Sequence, residues 1–476
     1  MGDNMQRSFD FFQTDRTVKP RGIDVRVFKP ELITKELKLS TLKSGTKRIR
    51  LSSNFLPLMG FTPGTRTSVV DLGVNAGLQV TFDSSGATKV YSRTYNQRRN
   101  NPLETQIDIQ NQTLIDRAIP EDSERLHFTL QDGSIIIKPL YNNSFLIRTG
   151  MKAASDKFSA FVAMSSGIDA HCLRACGFSI QSILEYRPRE ARDKADLTET
   201  GAINAISNVK VKYLFNEDIT SINWDNVKRI TQEDDQVGLL HISIQCDDHS
   251  LLKTNQAKKR SIDNLDTSVD QVYDALRLVE TIQPATILVE NVPGFASSGA
   301  ADILRIKLRR WGYHVTERVL DARSYKGLTS RKRFYLVASV WPGFEMPEEN
   351  PAADPAIWPI VERHLANCRD VTHTSTVHLG VKTGRVRLIT KESSYAPTIT
   401  KSQSRQAKDS VYIKTENGQF LFPTEELLRD LNGFPSDINL NSVSSTIASE
   451  IIGQSIDYPM HHELVRRLKS HISMNA

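Results

Sequence analysis

From Phe158 onward, short apolar runs rich in β-branched and aromatic residues recur: FSAFVAM, FSIQSILEY, HISIQC, ATILVEN and RFYLVASV. Helical stretches separate them. Strands alternating with helices over such a length fold as an α/β unit around a parallel sheet. Polar loops then collect at the strand ends, where doubly wound sheets bind ligands. Residues 341–425 interrupt the alternation with Pro, Ser, Thr and basic residues. Two amphipathic segments, SSTIASEIIG and MHHELVRRLKSHI, close the chain as helices.

A chain of 476 residues is too long for one core. Residues 1–45 are polar and charged and read as a loosely ordered lead-in. Residues 46–145 hold two similar segments, one starting at Arg48 and one at Thr105. Each reads strand, short helical turn, Pro-containing turn, strand, Gly turn, strand, with Ile49 and Leu51 matching Ile107 and Ile109. Neither could bury a sheet face alone, so the pair is expected to pack as one small β-rich barrel. The first segment resembles the hairpin modules of AbrB-type regulators and SymE-like proteins, which implies a DNA-contacting domain. Arg93, Arg98 and Arg99, between the repeats, are its candidate phosphate contacts, with a solvated basic loop as the plain alternative.

The net charge of +6 permits a nucleic-acid partner without requiring one. Four cysteines in so long a chain argue against a disulfide scaffold and suit a reducing cytoplasm. No apolar run reaches the ~20 residues of a membrane span. MGDNMQRSFD lacks an apolar signal-peptide core, and Gln6 stands where a myristoylation signal has Ser or Thr. A cytoplasmic protein is expected.

Two constellations carry chemistry. In the first, MSSGIDAHCLRACGF leaves a strand for a helix through a tight turn at Gly167. Glu185 ends the next strand and Asp218 a later one, where acids can hold ribose hydroxyls or an adenine amine. In the second, Cys246 follows HISIQ into the loop CDDHSLLKTNQAKKR, Glu290 ends ATILVE, and Arg331 and Arg333 open RFYLVAS. A thiol, a carboxyl and two guanidiniums at one sheet edge suit attack on a polarised heterocycle. The thiolate is the nucleophile, Arg charge favours it, and the acid can meet a ring nitrogen.

Taken in order from Phe158 to the C-terminus, these segments resemble the DNA cytosine-5 methyltransferase family. The resemblance implies a Rossmann-like S-adenosylmethionine-dependent methyltransferase sheet, formed by residues 155–340 and 426–476, with a small target-recognition region at 341–425. Its nucleophile falls on Cys246. Its Glu-Asn-Val tripeptide is intact at Glu290, Asn291 and Val292, and its Gln-x-Arg-x-Arg motif falls on Thr329, Arg331 and Arg333. LRDLNGFPSD and IIGQSIDYP match its final motifs. The cofactor positions fall on Ser165, Gly167, Ile168, Glu185, Tyr186, Asp218, Ile219 and Gln454.

The family's usual mechanism then implies a flipped cytosine attacked by Cys246 at C6, with Glu290 at N3 and Arg331 near O2. Double-stranded DNA is the implied substrate, and a restriction endonuclease a possible cognate. A monomer of bacterial, plasmid or phage origin fits the resemblance. The basic loop Ser250–Arg260, with Lys253, Lys258, Lys259 and Arg260, is placed to close over DNA.

Several positions depart from the family. Gln245 stands in place of its Pro, and Asp247, Asp248 and His249 replace Gln-Pro-Phe. Ser165 replaces Gly, Thr329 replaces Gln and Gln454 replaces Asn. Two acids beside a thiolate raise its pKa unless the Arg residues offset them; nucleophile and acid are both kept, so an active enzyme is expected, with a slowed or conditional one as the alternative. A methyltransferase-like DNA-binding protein with decayed chemistry, and an RNA cytosine-5 methyltransferase, are the competing readings.

Cys172 and Cys176 lie four apart without zinc-like partners and read as buried helix thiols, so no metal is expected. His461-His462 reads as a helix-surface pair and Cys368 as structural.

Overall fold

The computed structural model describes residues 29–476 except 95–102, 122, 141–146, 148–149, 153–154, 191–192, 194, 232–235, 251–252, 266 and 352–355. Residues 1–28 of the expected lead-in, and Arg98 and Arg99, lie outside the described residues. The chain divides into two compact units, Met1–Asn142 and Asn143–Ala476.

Among its described residues the first unit builds ten strands. They are β1 (Leu32–Lys38), β2 (Ser40–Thr41), β3 (Lys47–Ser52), β4 (Arg66–Asp71) and β5 (Leu78–Phe82), then β6 (Thr88–Lys89), β7 (Tyr91–Thr94), β8 (Leu103–Ile109), β9 (Arg125–Gln131) and β10 (Ser134–Leu140). They form sheets ordered β1-β9-β10-β5-β4-β6 and β2-β3-β8-β7. The two similar segments meet antiparallel at matching positions. Ile49 faces Ile109, Leu51 faces Ile107, Val80 faces Ile135 and Leu78 faces Ile137. All eight side chains enter one apolar core, so each half covers the face the other exposes. The lead-in departs from expectation, because β1 pairs with β9 along its whole length. Its inward residues, Ile33, Lys35 and Leu37, are only half-buried, which leaves little apolar signal in the sequence.

In the second unit, seven strands make one sheet. These are β11 (Ser159–Ala163), β12 (Ser179–Leu184), β13 (Tyr213–Phe215), β14 (Leu239–Ser243), β15 (Thr286–Asn291), β16 (His314–Asp321) and β17 (Lys332–Ser339). Their order is β13-β12-β11-β14-β15-β17-β16. Neighbours from β13 to β15 run parallel, whereas β17 is antiparallel to both β15 and β16. The expected α/β sheet is thus parallel over most of its width and mixed at the β17 end. Only a short 3-10 turn, Ala322–Tyr325, and a few loop residues join β16 to β17, too little chain for a parallel crossover.

Every residue of β11 and β15 is buried, as strands covered on both faces require. The C-terminal helix Tyr458–Asn475 lays Met460, His461, Leu464, Val465, Leu468 and Ile472 inward. Each apolar side chain in that stripe contributes on the order of 2 kcal/mol. His461 is therefore fully buried, not a surface residue, while its neighbour His462 is half-buried.

Strands β18 (Arg369–Asp370), β19 (Arg387–Ile389), β20 (Val411–Lys414) and β21 (Phe420–Phe422), which fall in sequence between the large sheet's last strand and the closing helices, form a separate four-stranded sheet.

Candidate active site

Strand register brings the expected nucleophile and the expected acid to one edge. Ser243 of β14 pairs with Glu290 of β15, and Cys246 follows three residues after Ser243. Because β17 runs against β15 with Phe334 opposite Asn291, Arg333 arrives at the same edge. Cys246, Glu290 and Arg333 all line one crevice of about 890 Å³. That volume lies within the range of small-molecule sites.

Arg333 Nε lies 2.8 Å from Glu290 Oε1. Burial pushes the Glu290 carboxyl above its ordinary range, against the pull of Arg333 and Arg331. The Cys246 thiol is pushed up to about 11, chiefly by burial and then by Asp247, with Arg333 opposing. The expected Arg activation is thus present but outweighed. Cys246 keeps partial exposure at the crevice wall, so the sulfur is reachable.

Arg331 is the clearest correction. Expected beside a substrate oxygen, it is fully buried, does not line the crevice, and donates to the carbonyls of Ile399 (2.9 Å) and Gly453 (3.1 Å). It ties the strand entrance to two later segments. Thr329, its motif neighbour, donates to Asp457 Oδ2 at 3.1 Å. Arg333 holds the position facing the crevice.

The loop around Cys246 compensates for its missing proline. Gln245 N donates to Gln271 Oε1 (3.3 Å), Gln271 Nε2 donates to Gln245 Oε1 (3.1 Å), and Gln245 Nε2 donates to Asp247 Oδ2 (3.0 Å). Asn291 Nδ2 donates to the Ile244 carbonyl at 2.9 Å, fixing the strand exit. The two aspartates separate in role. Asp248 turns away to Lys253, Thr267 and Ser268, leaving Asp247 to act on the thiol. The helix Asn255–Asp263 beyond this loop buries none of its residues and carries Lys258, Lys259 and Arg260.

At the other end of the crevice, β11 turns into the helix Ile168–Ala175 through a strained loop. Met164 (φ 63°), Ser166 (φ 50°) and Gly167 (φ 94°) are all left-handed. Strain in two non-glycine residues marks a functional constraint. A Cβ on Gly167 would lie 2.4 Å from Ala205 Cα, so only glycine fits. Ser166 N donates to Glu185 Oε2 at 2.9 Å. A Cβ on Gly201 would meet Glu185 Oε1 at 2.4 Å, so open space beside that carboxyl depends on this glycine.

Ser165, Glu185, Tyr186, Asp218, Ile219 and Gln454 line the crevice, whereas Gly167 and Ile168 shape it from behind. Asp218 Oδ1 accepts from Thr220 N and Oγ1, which fixes its carboxylate at the rim. The residues fit an adenosyl group: two acids, a close backbone approach and an aromatic neighbour.

Sequence reasoning missed Lys401 and Glu450. Lys401 comes from the intervening 341–425 region, lines the crevice and favours the Cys246 thiolate. Glu450 lies within an ion-pair distance of Arg187 (3.5 Å). Neither stands in a local pattern that would mark it.

Comparison with known proteins agrees with this geometry. The profile of the "C-5 cytosine-specific DNA methylase" family matches residues 206–470. The type II methyltransferase M.MspI of Moraxella sp is 28% identical over 205 residues, 41% of this chain and 48% of that protein. M.BsuFI of Bacillus subtilis is 27% identical over 213 residues, 42% of this chain and 51% of that one. The chain thus spans about half the length of these curated relatives. The crystal structure of the S. pombe Dnmt2 methyltransferase superposes with a TM-score of 0.50 at 18% identity, over 66% of this chain and 98% of that one. That likeness shows the α/β methyltransferase fold.

Proposed function

The chain belongs to the C-5 cytosine-specific DNA methylase family, and from that premise we propose that it methylates carbon 5 of a cytosine flipped from duplex DNA. One observation carries the reading. Cys246, Glu290 and Arg333 share a crevice with the strained loop and the acids that suit an adenosyl group.

S-adenosylmethionine bound by Ser165, Glu185, Tyr186, Asp218, Ile219 and Gln454 would supply a sulfonium-activated methyl group. The remaining work falls to the chain's own residues. Cys246 sulfur adds to cytosine C6 as thiolate. Glu290, whose buried carboxyl is pushed above its ordinary range, donates to N3, which draws electron density from C6 and opens it to the sulfur. Arg333 fixes the Glu290 carboxyl and takes the place beside O2 that Arg331 was expected to fill. Once C5 carries the methyl group, its proton passes to solvent, which restores the ring double bond and expels the sulfur. A thiol pushed up to about 11 is mostly protonated in the free enzyme, so its proton must leave as the sulfur bonds to C6, once DNA has closed over the crevice. The exposed basic helix Asn255–Asp263 is placed to supply that closure on the DNA backbone.

Target choice is assigned to the small sheet β18–β21 and its loops within 341–425. The N-terminal unit, with Arg93 on the exposed strand β7, is assigned to DNA gripping in the manner of AbrB-like modules. Relatives named as type II methyltransferases favour a role in restriction–modification, with a cognate endonuclease as partner. Among the described residues no helix is long and apolar enough to cross a membrane. A cytoplasmic monomer fits this role.

Covalent trapping tests the reading. Duplex DNA carrying 5-fluorocytosine cannot lose a C5 proton, so it should yield a denaturation-stable adduct when S-adenosylmethionine is added. No adduct, or an equal one with Cys246→Ala, rejects the mechanism.

A further inference from the structure

We propose that Asp169, His241 and His461 form a divalent-metal site of zinc-type chemistry in the core beneath the crevice. The three come from separate elements. Asp169 lies in the first turn of the helix Ile168–Ala175, His241 in the middle of β14, and His461 in the first turns of the C-terminal helix. Their exposures are 3%, 0% and 0%. One ligand atom from each lies within 4.8 Å of the others, close enough for one ion to reach all three after small side-chain rotations.

What points to a ligand is the set of unsatisfied atoms. Asp169 Oδ1, both ring nitrogens of His241, and His461 Nε2 are buried without a hydrogen-bond partner. Buried polar atoms are nearly always paired, and an imidazole with neither nitrogen engaged is a costly arrangement in a core. Two neutral imidazoles and a carboxylate are a donor set that borderline divalent ions accept.

Outer contacts already orient the ligands. Tyr335 Oη lies 3.2 Å from His461 Nδ1, leaving Nε2 for an ion, and Ser243 Oγ donates to Asp169 Oδ2 at 3.2 Å. Asp169 also lines the crevice, which provides an entry path. The rival occupant is a trapped water, which needs the same polar partners. An ion here would pin the strained loop, the strand leading to Cys246 and the closing helix together, whatever the enzyme's substrate.

Metal content decides between the two. The tag-free protein, dialysed and analysed by plasma mass spectrometry, should carry close to one zinc per chain. After chelation it should take up one cobalt(II) with tetrahedral visible bands. His241→Ala and His461→Gln should each lose that uptake, with circular dichroism confirming the fold. Wild-type protein that retains no zinc and takes up no cobalt overturns the site without any variant, as does full uptake by both variants.

Discussion

Arg333 Nε stands 2.8 Å from Glu290 Oε1, in the crevice that also holds the Cys246 sulfur. This pair separates the places of two arginines that lie two residues apart in the sequence. One faces the chemistry, and the other, Arg331, is walled into the protein.

Arg331→Met should therefore act on stability. It leaves the carbonyls of Ile399 and Gly453 buried without donors, a loss on the order of 3 kcal/mol. Urea unfolding should show it as a lowered midpoint. Arg333→Met should abolish turnover at a smaller cost in stability, because Glu290 can take up a proton when its partner is removed. Equal stability losses for both would refute the division.

Glu290→Gln keeps the side-chain shape and removes the acid. Turnover should fall by about 10²–10⁴ with little change in DNA binding. Single-turnover rates beside filter-binding affinities make the comparison, and a loss confined to affinity would count against the acid role.

The Cys246 thiol should become reactive only as pH rises toward its value of about 11. The sign follows from its causes: burial and Asp247 both disfavour the thiolate, so removing the charge of Asp247 favours it. Asp247→Asn should shift the iodoacetamide alkylation profile to lower pH. Asp248→Asn should move it far less, because that carboxylate is turned to Lys253 and Ser268. The opposite ranking would contradict the loop geometry.

Gln271→Ala removes the side chain that brackets Gln245. Two lost hydrogen bonds cost about 1–3 kcal/mol of local stability. Methyl transfer should drop with KM for the methyl donor unchanged, since Gln271 steadies the nucleophile's loop. Unchanged kcat would mean the loop holds itself.

Much of the catalytic edge was legible because each key residue terminates an apolar run: Cys246 after HISIQ, Glu290 after ATILV. Local pattern is enough for that. It fails for Arg331, whose partners lie 68 and 122 residues away. The reversed direction of β17 turns on the short β16–β17 connection, which a count of strands and helices overlooks. His461 was legible but misread. It falls in helical register with Leu464, Val465, Leu468 and Ile472, so the inward stripe passes through it. Lys401 approaches from another part of the chain, and nothing beside it in sequence announces the crevice.

The most direct test is the base itself. Nucleosides from DNA of a host expressing the protein, resolved by mass spectrometry, should contain 5-methylcytosine absent from the host alone and from the Cys246→Ser variant. DNA free of 5-methylcytosine from cells holding folded wild-type protein, or methylation that survives loss of the Cys246 sulfur, would contradict the account.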